Sequence, residues 1–123
     1  MRRPFAVIAM LAVIAVAGCS SGSGPSASIP EGALVVIAHD YMFDPTTLAM
    51  TADQPSQIHF TNHDSEQHDI AIFPNQDSSD AMFDGENIAH GSIVYDVPAF
   101  EAGTYYFKCT IHPVMNGSVE VAP

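Results

Sequence analysis

Cations are nearly missing from this chain. Its 123 residues hold three Lys and Arg against fourteen Asp and Glu, and Arg2 and Arg3 both lie before Cys19 while every acid lies after it. If the N-terminus is removed, Lys108 is the one basic side chain left, and the net charge falls to −13 with histidine neutral. A surface that acidic repels nucleic acid and anionic lipid, and at low ionic strength it draws cationic partners toward itself. Cysteine is scarce too. Two thiols, Cys19 and Cys109, allow at most one disulfide, so the chain is no disulfide-stapled scaffold and each thiol needs its own explanation. The longest apolar run, Phe5 to Ala17, has thirteen residues, short of the roughly twenty that span a bilayer. No glycine-rich phosphate loop and no internal repeat stands out, and the length suits one compact domain.

What is present falls into three zones. Residues 1–18 combine a basic start with the apolar run, as a secretory signal does, and Val16-Ala17-Gly18-Cys19 resembles the lipobox of bacterial lipoproteins, with lipidation expected on Cys19. The plainer alternative is an ordinary signal with Cys19 incidental. Residues 19–33, rich in Ser, Gly and Pro, form a flexible linker that is expected to stay solvated. About fourteen residues of such coil average roughly 20 Å end to end, enough to stand a lipid-anchored domain off its membrane. Residues 34–123 change character, with short β-branched or aromatic runs alternating with turn clusters every eight to twelve residues, the pattern of an all-β Greek-key sandwich of about seven to eight strands.

Strands are expected near Leu34–His39, Thr47–Thr51, Gln57–Asn62, His68–Phe73, Ser92–Val97, Gly103–Cys109 and Ser118–Val121. Within the third, Ile58 and Phe60 face one way and Gln57, His59 and Thr61 the other, as in a half-buried strand. Ser79 to Asp84 could start a short helix capped by Ser79, inside a long excursion from Pro74 to His90.

The chemistry gathers in the loop between the last two strands. Cys109, His112 and Met115 stand at a Cys-x₂-His-x₂-Met spacing, so a tight loop can turn one thiol, one imidazole and one thioether toward a single point. A thiolate, neutral imidazoles and a weak axial thioether suit copper cycling between two oxidation states. Pro113 stiffens the loop, and Gly117 is expected to let the chain turn back into the final strand. The second imidazole must come from elsewhere: His68, opening the apolar run to Phe73, is the best candidate, and His63, in the Asn62-His63-Asp64 turn, is its rival. Met42, Met50 and Met82, scattered along the chain, are read as filler rather than a copper-loading patch, and His39, His59 and His90 as surface or strand residues.

The Gly-x-Tyr-x-Phe strand running into Cys109-x₂-His112-x₂-Met115, with His68 upstream, resembles the cupredoxin family of type 1 copper proteins, with the loop spacing of its amicyanin-like members. Phe43-x-Pro45 leading to Leu48, Asn62-x-Asp64 leading to His68, Phe83 to Ile88 and Met115-Asn116-Gly117 extend the likeness from Leu34 to Val121. The resemblance implies that His68, Cys109 and His112 are equatorial ligands of one copper ion and Met115 its axial ligand. It implies a monomeric electron carrier rather than an enzyme, lipid-anchored in the cell envelope on the periplasmic or extracellular face, that passes single electrons between redox donor and acceptor proteins. The competing function is envelope copper trafficking or storage; a structural zinc site is disfavoured because thioether is a poor zinc ligand. One position departs from the family. Where many members carry Asn after the first histidine and use it to tie the ligand loops together, this chain has Asp69, whose carboxylate would favour Cu(II) and lower the potential.

Overall fold

The computed structural model describes residues 24–123; the expected signal, residues 1–18, and Cys19 lie outside the described residues. Nine strands form two mixed sheets, and no helix occurs among the described residues. The strands are β1 (Leu34–His39), β2 (Met42–Asp44), β3 (Thr47–Thr51), β4 (Ser56–Asn62), β5 (Ala71–Phe73), β6 (Phe83–Asp84), β7 (Gly91–Val97), β8 (Gly103–Lys108) and β9 (Asn116–Ala122). One sheet has the order β2-β1-β4-β7 and the other β3-β9-β8-β5-β6; β1 runs parallel to β4 and β3 to β9, while the remaining pairs are antiparallel. The all-β sandwich expected from the turn spacing is the architecture found.

Between the sheets lies one apolar core. Val36 and Ala38 from β1, Ile58 and Phe60 from β4, Leu48 and Met50 from β3, Ile72 from β5, Phe107 from β8 and Val119 from β9 are all buried. Alternation selects them: β3 buries its second and fourth residues and exposes the other three, so each face of the strand meets one environment. Phe43 on β2 closes the core edge, tilted against Phe107 at 5.3 Å between ring centroids.

Three local expectations change. Ser79–Asp84 is not helical: Met82 donates its N–H to Ile72 O at 2.7 Å, and Phe83–Asp84 pair with β5 as the edge strand β6. A helix that short gains too little from its own hydrogen bonds to offset nucleation, whereas a sheet edge offers partners at once. His68 to Ile70 are not continuous strand either. His68 and Ile88 exchange N–H···O bonds of 3.0 Å in an isolated bridge, and Ile70 O accepts from Gly85 N–H, which frees the chain to bend before β5 begins at Ala71. Gly117 sits inside β9 without a left-handed backbone; its need is for space, because an added Cβ would collide with Thr46 O and the Phe107 ring.

The segment before β1 also differs from a freely solvated coil. Pro25 O accepts the Ser92 N–H at 2.6 Å, Ala27 N–H donates to Ser92 Oγ at 2.8 Å, and Ala27 O faces His59 Nε2 at 3.0 Å. This strap lies on the outer face of the β1-β4-β7 sheet, which is why His59, on the polar face of β4, is only 5% exposed.

Candidate metal centre

At one end of the sandwich β1, β4 and β8 finish and β5, β7 and β9 begin, so the loops carrying His68 and Cys109 emerge side by side. Strand register brings them together across forty residues: Ala71 pairs with Lys108, placing the residues before Ala71 next to those after Lys108.

The 109–115 loop is closed by its own backbone. Cys109 N–H donates to Met115 O at 3.0 Å and Met115 N–H to His112 O at 2.9 Å, while Asn116 Nδ2 donates to the Pro113 and Val114 carbonyls. Cys109 and Met115 are buried and His112 is half-buried. The 62–68 loop is shaped by Asn62, fully buried, which donates through Nδ2 to the Glu66 and Ile88 carbonyls at 2.7 and 2.8 Å and accepts the Asp64 N–H at 2.8 Å. Asp64 in turn gathers three groups: its carboxylate accepts the Asp40 and Tyr41 N–H groups at 2.8 and 3.1 Å and His68 Nε2–H at 2.9 Å. Burial works to raise its pKa, but the two amides and His68 outweigh it and hold the carboxyl below its ordinary value. Donation from Nε2 leaves His68 Nδ1 unprotonated and facing the loop, the tautomer a metal requires.

Three donor atoms converge. His68 Nδ1 and His112 Nδ1 are 3.1 Å apart, and Cys109 Sγ lies 3.9 and 3.8 Å from them. A point equidistant from all three is about 2.1 Å from each, the length of a first-row metal–imidazole bond and slightly under a metal–thiolate bond. Together they are the one His, Cys and carboxylate grouping of metal-binding spacing among the described residues. Burial pushes the Cys109 thiol pKa up, against the amide N–H groups of Asp69, His112 and Ile111, so in the absence of metal the sulfur holds its proton and metal binding must release it.

His63, the rival ligand, is exposed and stands outside the cluster: its N–H pairs with Ala38 O and its carbonyl faces His90 Nδ1. His39 and His90 are likewise apart from the donors, His59 is buried under the strap, and Met50 is core while Met42 and Met82 are exposed. Asp69 takes over the tie between the ligand loops. It is 1% exposed, and its carboxylate accepts the Thr110 N–H at 2.7 Å and the Thr110 hydroxyl in a second, short bond. Tyr41 had no signal in the sequence. Asp40 and Tyr41 both adopt a left-handed backbone, at φ 51° and 59°, and the turn sets the Tyr41 ring edge-on to both imidazoles, 5.4 Å from His68 and 5.1 Å from His112.

Comparison with known proteins agrees with this geometry. A family model of the cupredoxin-like domain matches residues 7–121. No curated protein matches the chain. Among solved structures, amicyanin from Paracoccus versutus is 28% identical, with a TM-score of 0.61 over 83% of this chain and 93% of its own. A mutant amicyanin in its reduced Cu(I) form is 25% identical, with a TM-score of 0.61 over 80% and 91%. Reduced auracyanin from Roseiflexus castenholzii, at 19% identity and a TM-score of 0.65 over 75% and 98%, shares the fold. The chain belongs to the family of cupredoxin-like domains, whose members are electron-transfer proteins that hold one type 1 copper ion.

Proposed function

We propose that this protein is a mononuclear type 1 copper electron carrier of the cell envelope, with His68, Cys109 and His112 as equatorial ligands and Met115 as the weak axial one. The observation that carries the reading is the triangle of two Nδ1 atoms and one Sγ around a point at bonding distance from all three. Bound copper supplies a one-electron couple; the protein supplies the fixed ligand cage. The hydrogen bonds that close the 109–115 loop, the Asp64 bond to His68 and the Asp69 bonds to Thr110 resist movement of the ligands between oxidation states, which keeps electron exchange fast. Half-buried His112, flanked by exposed Ile111 and Val114, is the ligand nearest to a docking partner's reach. No substrate is transformed in this role. A lipid on Cys19 would hold the carrier at the membrane, where donor and acceptor proteins exchange single electrons with it.

Trafficking or storage of copper is the second reading. The full burial of His68 and Cys109 opposes it, since handing over a metal needs ligands that a recipient can reach. A potentiometric titration combined with copper exchange to a chelator separates the two: a reversible couple with slow exchange supports the carrier, and fast exchange without a couple overturns it. Visible and EPR spectra of the copper-loaded protein test the ligands. Cys109→Ser is expected to abolish the visible charge-transfer band, and a band that survives the substitution removes Cys109 from the ligand set.

A further inference from the structure

The path of the chain before β1 decides which end of the domain an anchor would hold. β1 begins at Leu34, which pairs with Ile58 at the start of β4, the end of the sandwich remote from the metal donors. Were Leu34 the first docked residue, a linker would leave from that remote end. Instead the strap climbs the outer face of the sheet toward the other end. Ala27 lies beside His59 and Ser92, Pro25 bonds to Ser92, and Gly24 touches His90. Gly91 pairs with Asn62 at the finish of β4, so the strap ends level with the loop that carries His68.

Two features show that the sheet is built to receive the strap. Neither glycine at the crossing has room for a side chain: a Cβ on Gly24 would collide with His90 O, and one on Gly91 with Pro25 O. Beneath it His59 is 5% exposed, with Nε2 against Ala27 O and Nδ1 buried without a partner, a residue whose burial depends on the cover.

We propose that the docked strap moves the membrane attachment point from the remote end of the sandwich to the metal end, so that His112 works against a redox protein seated in the same membrane. The inference rests on the lipid-anchor reading of Cys19. Five residue steps separate Cys19 from Gly24, a reach of at most about 18 Å, whereas the sheet itself is roughly 20 Å long. The metal end is therefore held near the lipid surface and the remote end is kept away from it. The partner that fits is a membrane-bound redox protein with its electron port close to the headgroups and a cationic face toward this acidic domain. One electron passes between its redox group and the copper, with no atom transferred.

The test uses the full lipidated, copper-loaded chain on phosphatidylcholine vesicles carrying a trace of lipid labelled on its headgroup with a red fluorophore. Quenching by the oxidised copper chromophore, reversed on reduction to colourless Cu(I), reports the distance from metal to headgroup. Strong oxidation-dependent quenching is expected. It should be largely lost when Ser92→Val removes the Ser92 Oγ bonds to Ala27, and again when a dozen Gly and Ser residues inserted between Ser23 and Gly24 lengthen the reach by roughly 20 Å while the strap stays docked. The intensity of the visible band certifies that each variant is folded, and amide exchange in the metal-free protein, slow at Ala27 and fast in Ser92→Val, reports docking without copper. Quenching that neither change alters, or an Ala27 amide that exchanges freely in the unaltered chain, overturns the proposal. Absence of lipid on Cys19 by mass spectrometry overturns the anchor itself, and is distinguished from those outcomes by the mass alone.

Discussion

Asp69 shows how one side chain can keep a structural role and change its electrical consequence. Its two oxygens accept both Thr110 donors, so the ligand loops are tied as firmly as an amide could tie them, but the tie places a buried carboxylate beside the thiolate position. Asp69→Asn keeps an acceptor for the Thr110 N–H and removes the charge. The reduction potential is expected to rise by on the order of 100 mV, the effect of one charge several ångströms away at an effective dielectric near 20. Voltammetry of the two proteins reads it directly, and an unchanged potential would remove the Asp69 charge from the account. Tyr95 is likewise governed by burial and nearby charge. Its hydroxyl donates to Glu86 O at 2.6 Å, and burial, followed by the charges of Asp69, Glu86 and Cys109, pushes its pKa well above the usual 10.0. A raised acid pKa means that the folded state keeps a proton the unfolded chain gives up. Tyr95 thus contributes stability that is present in full below pH 10 and declines as the pH rises above it. Tyr95→Phe should cost about 1 kcal/mol at neutral pH through the lost hydrogen bond. Denaturant midpoints measured from pH 8 upward should also fall less steeply for the variant.

Among the elements, β8 and β9 do most to hold the site, because the loop they bracket carries three of the four proposed ligands. Their pairing from Gly103↔Val121 to Lys108↔Asn116 sets the span that the 109–115 loop must bridge. Gly117 lets the two strands and Thr46 approach closely, so Gly117→Ala should force Phe107 or the strand aside, at about 1–3 kcal/mol for overpacking. A shift in denaturant midpoint checks the cost; a visible band that also weakens would show the strain reaching Cys109. Alternation and turn residues in the sequence identified six of the nine strands, those of five to seven residues, and a continuous apolar run marked the three buried residues of β5. The two that escaped, β2 and β6, have three and two residues, too short for any period, and exist because a neighbouring edge offered unpaired backbone groups. The helix expected at Ser79–Asp84 failed for the same reason, with tertiary pairing to Ile72 overriding a local capping signal.

At the scale of the whole molecule the dominant fact is charge. One lysine among fourteen acids after Cys19 makes a negative field that acts on every charged reagent approaching His112. Oxidation of the Cu(I) protein by a small cationic complex should slow as salt rises from about 0.01 M to about 1 M, and oxidation by an anionic complex should quicken, as the Debye length falls from about 30 Å to about 3 Å. Stopped-flow rates that ignore ionic strength would remove steering from the account of partner choice.

The sequence by itself carried the expectation of copper chemistry, since a thiol, an imidazole and a thioether at fixed short spacing can turn toward one point, and the alternation of apolar residues pointed to a two-sheet sandwich. Local spacing suffices there because both are short-range properties. Only the tertiary structure puts His68, and not His63, beside Cys109, since the Ala71↔Lys108 register carries its nitrogen there. It also brought Tyr41 over both imidazoles and Asp64 behind His68, and it laid residues 24–27 along Ser92 and His59. Apart from the Asp64 bond to His68, four residues away, those contacts join residues distant in the chain through hydrogen bonds and turn angles, which no spacing in the sequence encodes.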